Sequence, residues 1–256
     1  MAALFVAGAQ GVHEDGLALV THFPPDTDLT AVHLAVTSAD ELVRIETSPV
    51  PDVDWSHAWK TGIGTHTMGA LTVAPPWLAH DLDRATTIVI EPGMAFGTGD
   101  HPTTRGVVRL LPTVLRKGDV VADLGAGSAV LAIAAAKLGA QRVYAIELDH
   151  DAIENAEDNV VENGVANIVH VFEADAASVL PLVGPVRVIL ANIISSVLID
   201  LLPVMSANLT EDGAAILSGI LFEERDMMMT TLRDHGWRIV SEDNEGIWWS
   251  VSIAPA

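Results

Sequence analysis

From about residue 86 onward, short uninterrupted apolar runs alternate with longer stretches of helical periodicity. Val120-Val121-Ala122-Asp123-Leu124 reads as a buried strand, and residues 130–138 as a helix with Lys137 in its last turn and Gly139 at its stop. A second strand is expected at 143–146. It is followed by a helix over 151–163 with an acidic first turn, closed by Asn163-Gly164. Further strands are expected at 168–172, 186–190 and 214–217, with helical stretches at 195–208 and 222–235 separating the last ones. Residues 236–240 and 247–251 read as a closing pair of strands. Such alternation predicts an α/β fold, a parallel sheet with helices on both faces.

The first 50 residues are short-patterned and mixed. Residues 11–16 read as a turn, 17–20 as a strand stopped by Phe23-Pro24-Pro25-Asp26, and 40–45 as either helix or strand. Residues 49–52 look like a linker. Beyond it Trp55 and Trp59, four apart, suit one packed face of a helix. No internal repeat or low-complexity tract stands out.

Composition narrows the function. Half of the 256 residues are hydrophobic, enough to build a sizeable core and to exclude disorder. The absence of cysteine excludes disulfides, thiolate metal sites and cysteine nucleophiles. Thirteen Lys+Arg against 34 Asp+Glu leave a formal net charge of −21. This argues against direct binding of nucleic acid, which wants a basic face. Two readings of the acidity stay open: solubility in a salty or GC-rich organism, or attraction of a basic macromolecule. Residues 1–12 carry no basic residue and make a poor signal peptide, and no apolar run reaches membrane-spanning length. The expectation is a cytoplasmic protein with no membrane partner.

In open α/β sheets ligands sit at the carboxyl ends of the strands. The first strand runs into Asp123-Leu124-Gly125-Ala126-Gly127-Ser128, where Gly125 and Gly127 allow close backbone approach and a helix N-terminus is expected to offer free amides. The second strand ends at Glu147, an acid spaced to accept both hydroxyls of a ribose. A later strand ends at Ala191-Asn192, which adds an amide to the same edge. Together these predict a nucleoside-containing cofactor. Val130 stands where a dinucleotide fingerprint wants Gly or Ala. With Asp123 and the trailing strand pair, it favours S-adenosyl-L-methionine over a nicotinamide cofactor. Upstream, Glu91-Pro92-Gly93-Met94-Ala95-Phe96-Gly97-Thr98-Gly99-Asp100-His101-Pro102-Thr103-Thr104 reads as a lid or ligand-contacting loop, with Thr103-Thr104 capping the next helix. His101 is expected to be structural. The ten histidines show no metal-ligand spacing, so no metal is expected.

This loop, the Asp-x-Gly-x-Gly turn, Ala191-Asn192-Ile193-Ile194, Ser218-Gly219-Ile220-Leu221, Trp55 with Trp59 and Ala74-Pro75-Pro76-Trp77 resemble the bacterial methyltransferases of ribosomal protein L-eleven, the PrmA family. The resemblance runs from about Gly8 to the end of the chain. It implies a class I S-adenosyl-L-methionine-dependent methyltransferase with a Rossmann-like seven-stranded sheet over residues 86–256. It also implies a linker and connecting helix over 51–85 and a small α+β substrate-recognition domain over 1–50. The family's usual first strand is not found in it, which leaves two readings, a misassigned start codon or a reduced recognition domain. The implied reaction is methyl transfer to lysine side chains or the N-terminal amine of a basic large-subunit ribosomal protein. The implied cofactor contacts are Thr104, Gly125, Gly127, Glu147 and Asn192, with Asp175 near the adenine; no catalytic residue is assigned. Ala129 stands where the family often has Gly, and Glu147 where Asp is common. Two other readings remain: a methyltransferase of the same fold acting on another protein or small molecule, and a non-enzymatic ribosome-associated binding module.

Overall fold

The computed structural model describes residues 2–9, 11–16, 18–24, 27–48, 63–93 and 96–256. The linker at 49–52 and the Trp55–Trp59 pair therefore lie outside the described residues. The chain divides into two compact units, Met1–Asp54 and Trp55–Ala256.

The small unit holds helix α1 (Ala2–Val6), a hairpin of β1 (Val12–Asp15) and β2 (Ala18–Thr21), and helix α2 (Leu29–Ala39). Residues 11–16 are thus mostly strand rather than turn. Val12 to Asp15 pair in register with Thr21 to Ala18, and the reversal begins only at Gly16, with φ +60°. Helix α2 starts at Asp28, whose carboxylate accepts from the amides of Thr30 and Ala31 at 2.9 and 3.3 Å. Residues 40–45 form neither helix nor strand. The Asp40 side chain takes the Leu42 amide at 2.9 Å and turns the chain out of the helix.

In the large unit, β3 (His66–Met68), β4 (Leu71–Ala74) and β5 (Thr87–Val89) form a three-stranded sheet. The described part of the stretch read as linker and connecting helix, 63–85, therefore holds β3 and β4. Met68, Leu71 and Val73 recur with the spacing that lets a short sheet bury one face, and they enter the main core. Beyond them come α3 (Pro102–Val114), β6 (Val120–Leu124), α4 (Val130–Lys137), β7 (Arg142–Glu147), α5 (His150–Glu162) and β8 (Val169–Glu173). The chain continues with α6 (Ala176–Val183), β9 (Val186–Asn192), α7 (Ser195–Ala207), β10 (Leu209–Leu221), α8 (Arg225–Asp234), β11 (Trp237–Glu245) and β12 (Trp248–Pro255).

The large sheet has the order β11-β12-β10-β9-β6-β7-β8. Strands β6 to β10 run parallel, and β12 is antiparallel to both of its neighbours. Side chains alternate between two cores with the period of two that a strand imposes. Val121, Val188, Leu190 and Ile216 face α3, α4 and α5; Ala122, Leu124, Ile189 and Leu217 face α6, α7 and α8. Burial on both faces explains why these strands read as continuous apolar runs. Helix α6 escaped the sequence reading because it is short and follows its strand after a two-residue turn. Among the described residues, no helix is long and apolar enough to cross a membrane.

Candidate active site

The carboxyl ends of β6, β7 and β9 meet at one edge, beside the start of α3. Glu147 closes β7, and its carboxylate is already engaged: Oε2 accepts from the Gly127 amide at 2.8 Å, and Oε1 from those of Leu148 and Asp149 at 2.7 and 2.9 Å. The turn carrying Gly125 and Gly127 is thereby bound to the end of the next strand. Asn192 closes β9 and donates through Nδ2 to Thr104 Oγ1 at 3.5 Å, a long bond that brings a half-exposed amide against a buried hydroxyl. Thr104, Gly125, Gly127, Glu147 and Asn192 thus lie on the strand ends and the helix start that form this edge.

The expectation of free amides at the start of α4 (Val130–Lys137) holds only for its first two residues: Val130 and Leu131 donate to nothing among the described residues, whereas the turn before them is engaged. Gly125 and Ala126 donate to Ile146 O at 2.8 and 3.1 Å, Ser128 to Phe96 O at 2.9 Å, and Ala129 to Ala126 O at 2.9 Å. The Ala132 amide goes to Asp123 Oδ2 at 2.9 Å. These bonds consume the donors of the turn itself and fix its path beside the ends of β6 and β7. Asp123 is fully buried and its Oδ1 has no partner; desolvation, helped by the nearby Glu147 charge, pushes its carboxyl up to about 7 against the pull of the Ala132 bond. Ala129, where the sequence departs from glycine, takes the left-handed conformation at φ +64° and is buried.

The glycine-rich loop packs on this turn. Met94 and Ala95 lie outside the described residues, but Phe96 O and Gly97 O accept from the Ser128 amide and hydroxyl at 2.9 and 2.7 Å. A Cβ on Gly97, at φ +108°, would come within 2.7 Å of Ser128 Oγ, and one on Gly127 within 2.5 Å of Phe96 O. Only glycine permits both approaches. The loop's far end is held by Thr98 Oγ1 on Asp100 Oδ1 at 2.6 Å, and by Arg105, which grips Asp100 O and Glu245.

One detail corrects the expectation for the helix start. His101, not the threonine pair, caps α3: its Nδ1 lies 2.7 Å from Thr103 Oγ1 and takes the Thr103 amide at 3.4 Å. Thr103 and Thr104 are buried in the first turn. The His101 ring lies between Phe96 and Trp248, with centroids 5.3 and 4.8 Å away, and this burial lowers its pKa. Asp175 caps α6, accepting from Ala177 N and Ser178 Oγ at 3.3 and 2.8 Å.

Asn155 and Asn159, unremarked in the sequence pattern, and Asn163, expected only as the helix stop, fasten the loop from below. On α5 and its cap, Asn155, Asn159 and Asn163 recur every four residues and meet the backbone leaving β5. Asn163 Oδ1 accepts from Val89 N, Asn159 Oδ1 from Glu91 N, both at 2.9 Å, and Asn155 Nδ2 donates to Glu91 O at 3.0 Å. Asn159 Nδ2 also reaches Ser128 O at 3.1 Å. The spacing was visible as one helix face, but its partner was not. Ser218 was known only by its motif; it bridges Thr103 O and Ser250 Oγ at 3.1 and 2.7 Å and seats α3 on the sheet.

The reversed β12 between β10 and β11, which an all-parallel dinucleotide fold lacks, and a turn held by the carboxylate that ends the next strand define a class I S-adenosyl-L-methionine-dependent methyltransferase. The donor set fits that cofactor: the edge offers a carboxylate, Glu147, able to accept from hydroxyls, and an uncharged amide–hydroxyl pair, Asn192 with Thr104. Comparison with known proteins narrows the class. The family model described as ribosomal protein L11 methyltransferase (PrmA) matches residues 6–255, and the chain belongs to that family. It is 34% identical over 255 residues to the ribosomal protein L11 methyltransferase of Enterococcus faecalis, covering 94% of this chain and 80% of that one. The corresponding protein of Desulforamulus reducens is 35% identical over 213 residues, covering 82% and 68%. The crystal structure of ribosomal protein L11 methylase from Lactobacillus delbrueckii subsp. bulgaricus superposes with a TM-score of 0.67 at 30% identity, over 75% of this chain and 98% of that one.

Proposed function

We propose that this methyltransferase modifies amino groups, lysine ε-amines or the N-terminal amine, of ribosomal protein L11, a basic protein of the large subunit. The observation that carries the reading is the Asn192–Thr104 pair at the strand edge, in a chain of this family. When bound, S-adenosyl-L-methionine supplies a methyl group activated by its sulfonium. In this reading Glu147 holds the ribose, Gly125 and Gly127 let the turn lie close to the cofactor, and Thr104 and Asn192 flank its reacting end. With Nδ2 turned to Thr104, the Asn192 Oδ1 is left to accept from an incoming amine and aim its lone pair. An amide is too weak a base to take the proton. A lysine amine with an ordinary pKa of about 10.4 must instead be favoured in its neutral form by burial next to a cation. The small unit, Met1–Asp54, is assigned the recognition of the substrate, and the large unit the chemistry.

Incubating the enzyme with tritiated cofactor and purified large-subunit proteins tests this. Label confined to L11 supports the reading, and label in none, or in many equally, overturns it. The net charge of −21 adds a second measurement. Electrostatic steering of a basic substrate predicts that kcat/KM falls steeply with added salt, whereas salt adaptation alone predicts that it persists or rises.

A further inference from the structure

Large apolar side chains stand exposed along the carboxyl edge of the sheet, beside the proposed methyl-transfer site. Ile194 is 65% exposed, Ile247 66%, Phe96 57% and Phe222 47%, with Val197 at 41%. They come from separate parts of the chain but lie on a connected arc. Phe96 packs on His101 and His101 on Trp248. The Phe222 amide donates to Ile247 O at 2.7 Å, one residue from Trp248. Glu224, two residues beyond Phe222, accepts from Ser195 Oγ at 2.6 Å, which brings in the start of α7, where Ile194 and Val197 stand. The arc thus begins next to Asn192 and ends at the loop that covers the turn. Exposed apolar side chains gathered this way mark a contact surface, whereas single ones scattered over a protein need no explanation.

The charges along the arc indicate what it contacts. Its cations are neutralised: Arg105 is paired with Glu245, and Arg225 with Glu242 and Asp226. Glu223, beside Phe222, is exposed and makes no ion pair among the described residues. An apolar strip edged by unneutralised acid, on a protein of net charge −21, complements a segment that mixes apolar and cationic side chains.

We propose that the arc Phe96–Ile247–Phe222–Ile194–Val197 is a docking surface on the catalytic unit for the lysine-bearing segment of the basic protein substrate. It sets KM for that protein, and its Phe222, Ile247, Ile194 and Val197 are not among the residues assigned to the cofactor. The assignment rests on the proposed reaction with a ribosomal protein and names the surface that reaction uses. An apolar contact of this kind is realised equally in the bound and reacting states, so its loss acts on KM and leaves kcat in place.

The test compares the full chain with a Phe222→Ala/Ile247→Ala variant and, separately, Glu223→Lys. The readouts are steady-state methylation of purified L11, calorimetric binding of S-adenosyl-L-methionine, and sedimentation. Both variants should keep the cofactor affinity of the parent, because neither replaces a residue assigned to that site. KM for L11 should rise about five- to tenfold in the double variant, with kcat nearly unchanged. An unchanged KM while the parent methylates L11 normally overturns the docking surface and leaves the reaction standing. Loss of an oligomer in the variant overturns it in favour of a second copy of this chain as the occupant. If the parent labels no ribosomal protein, the reaction itself fails and the docking assignment falls with it.

Discussion

The Gly127 amide donates to Glu147 Oε2 at 2.8 Å, so the turn after the first strand of the parallel sheet and the end of the second are one hydrogen-bonded piece. Ionised carboxylate oxygens accept more than one bond each, so Glu147 can keep the turn while it takes a ribose hydroxyl. Glu147→Ala removes the acceptor that holds the turn and, with it, the proposed ribose contact. Cofactor affinity should fall by about 1–3 kcal/mol, measured by calorimetry, and the melting temperature should fall with it. An unchanged affinity with a lowered melting temperature would limit Glu147 to holding the turn.

Asn159 is 1% exposed and bonds Glu91 N and Ser128 O at once. Asn159→Ala leaves a donor and an acceptor without partners in the interior, at a cost of about 2–4 kcal/mol in urea unfolding. The amide of Glu91 should also lose hydrogen-exchange protection. Retained protection there would show that Asn163 and Asn155 hold the segment without it.

Asp123 gives stability an unusual pH dependence. Its carboxyl, pushed up to about 7 from an ordinary 3.8, keeps its proton in the folded state over a range where the unfolded chain has released it. The folded state therefore binds more protons between those values, and this group's contribution to stability falls as pH rises through that window. Asp123→Asn, which keeps an acceptor for Ala132 and cannot ionise, should gain stability relative to the parent from pH 4 to pH 7.5 in chemical denaturation. A stability difference that stays flat across the window would mean the carboxyl titrates normally.

Arg109 bonds Asp243 through Nε and Nη2 at 2.9 and 2.5 Å and Glu245 at 2.8 Å, tying α3 to β11. These carboxylate bonds, with those from Arg105 first, hold the Glu245 carboxyl below its ordinary value. That part of the stability is present above the ordinary carboxylate range and lost as pH falls through the lowered value. The pairs are partly exposed, so screening limits their worth. Arg109→Met should cost about 1–2 kcal/mol, with a coupling to Asp243→Asn of about 1 kcal/mol in a double-mutant cycle. Additive single effects would mean the ion pair contributes nothing.

Much of the large unit was legible in the order of its residues. Strands buried on both faces write themselves as continuous apolar runs, and helices between them keep their own period, so β6, α4, β7, α5 and β9 stand close to where the pattern put them. The small three-stranded sheet did not show, because Met68, Leu71, Val73 and Ile88 become a buried face only when a helix layer closes over them. That the turn before α4 spends its own amides inside the protein was hidden for a similar reason. Glycines can be read from sequence, but Phe96, Ile146 and Glu147, which consume the donors of the turn, lie far along the chain or on another strand.

By itself the sequence determined the class of fold, the gathering of Gly125, Gly127, Glu147 and Asn192 at one edge of the sheet and the family, because these depend on periodicity and on side chains that follow strand ends directly. Only the tertiary structure decided the strand order, with β12 reversed between β10 and β11, the pairing of Asn192 with Thr104, and the asparagine row beneath the loop. Each of these joins residues distant in sequence. A hydrogen bond or a strand neighbour is set by distance in space, which local pattern does not encode.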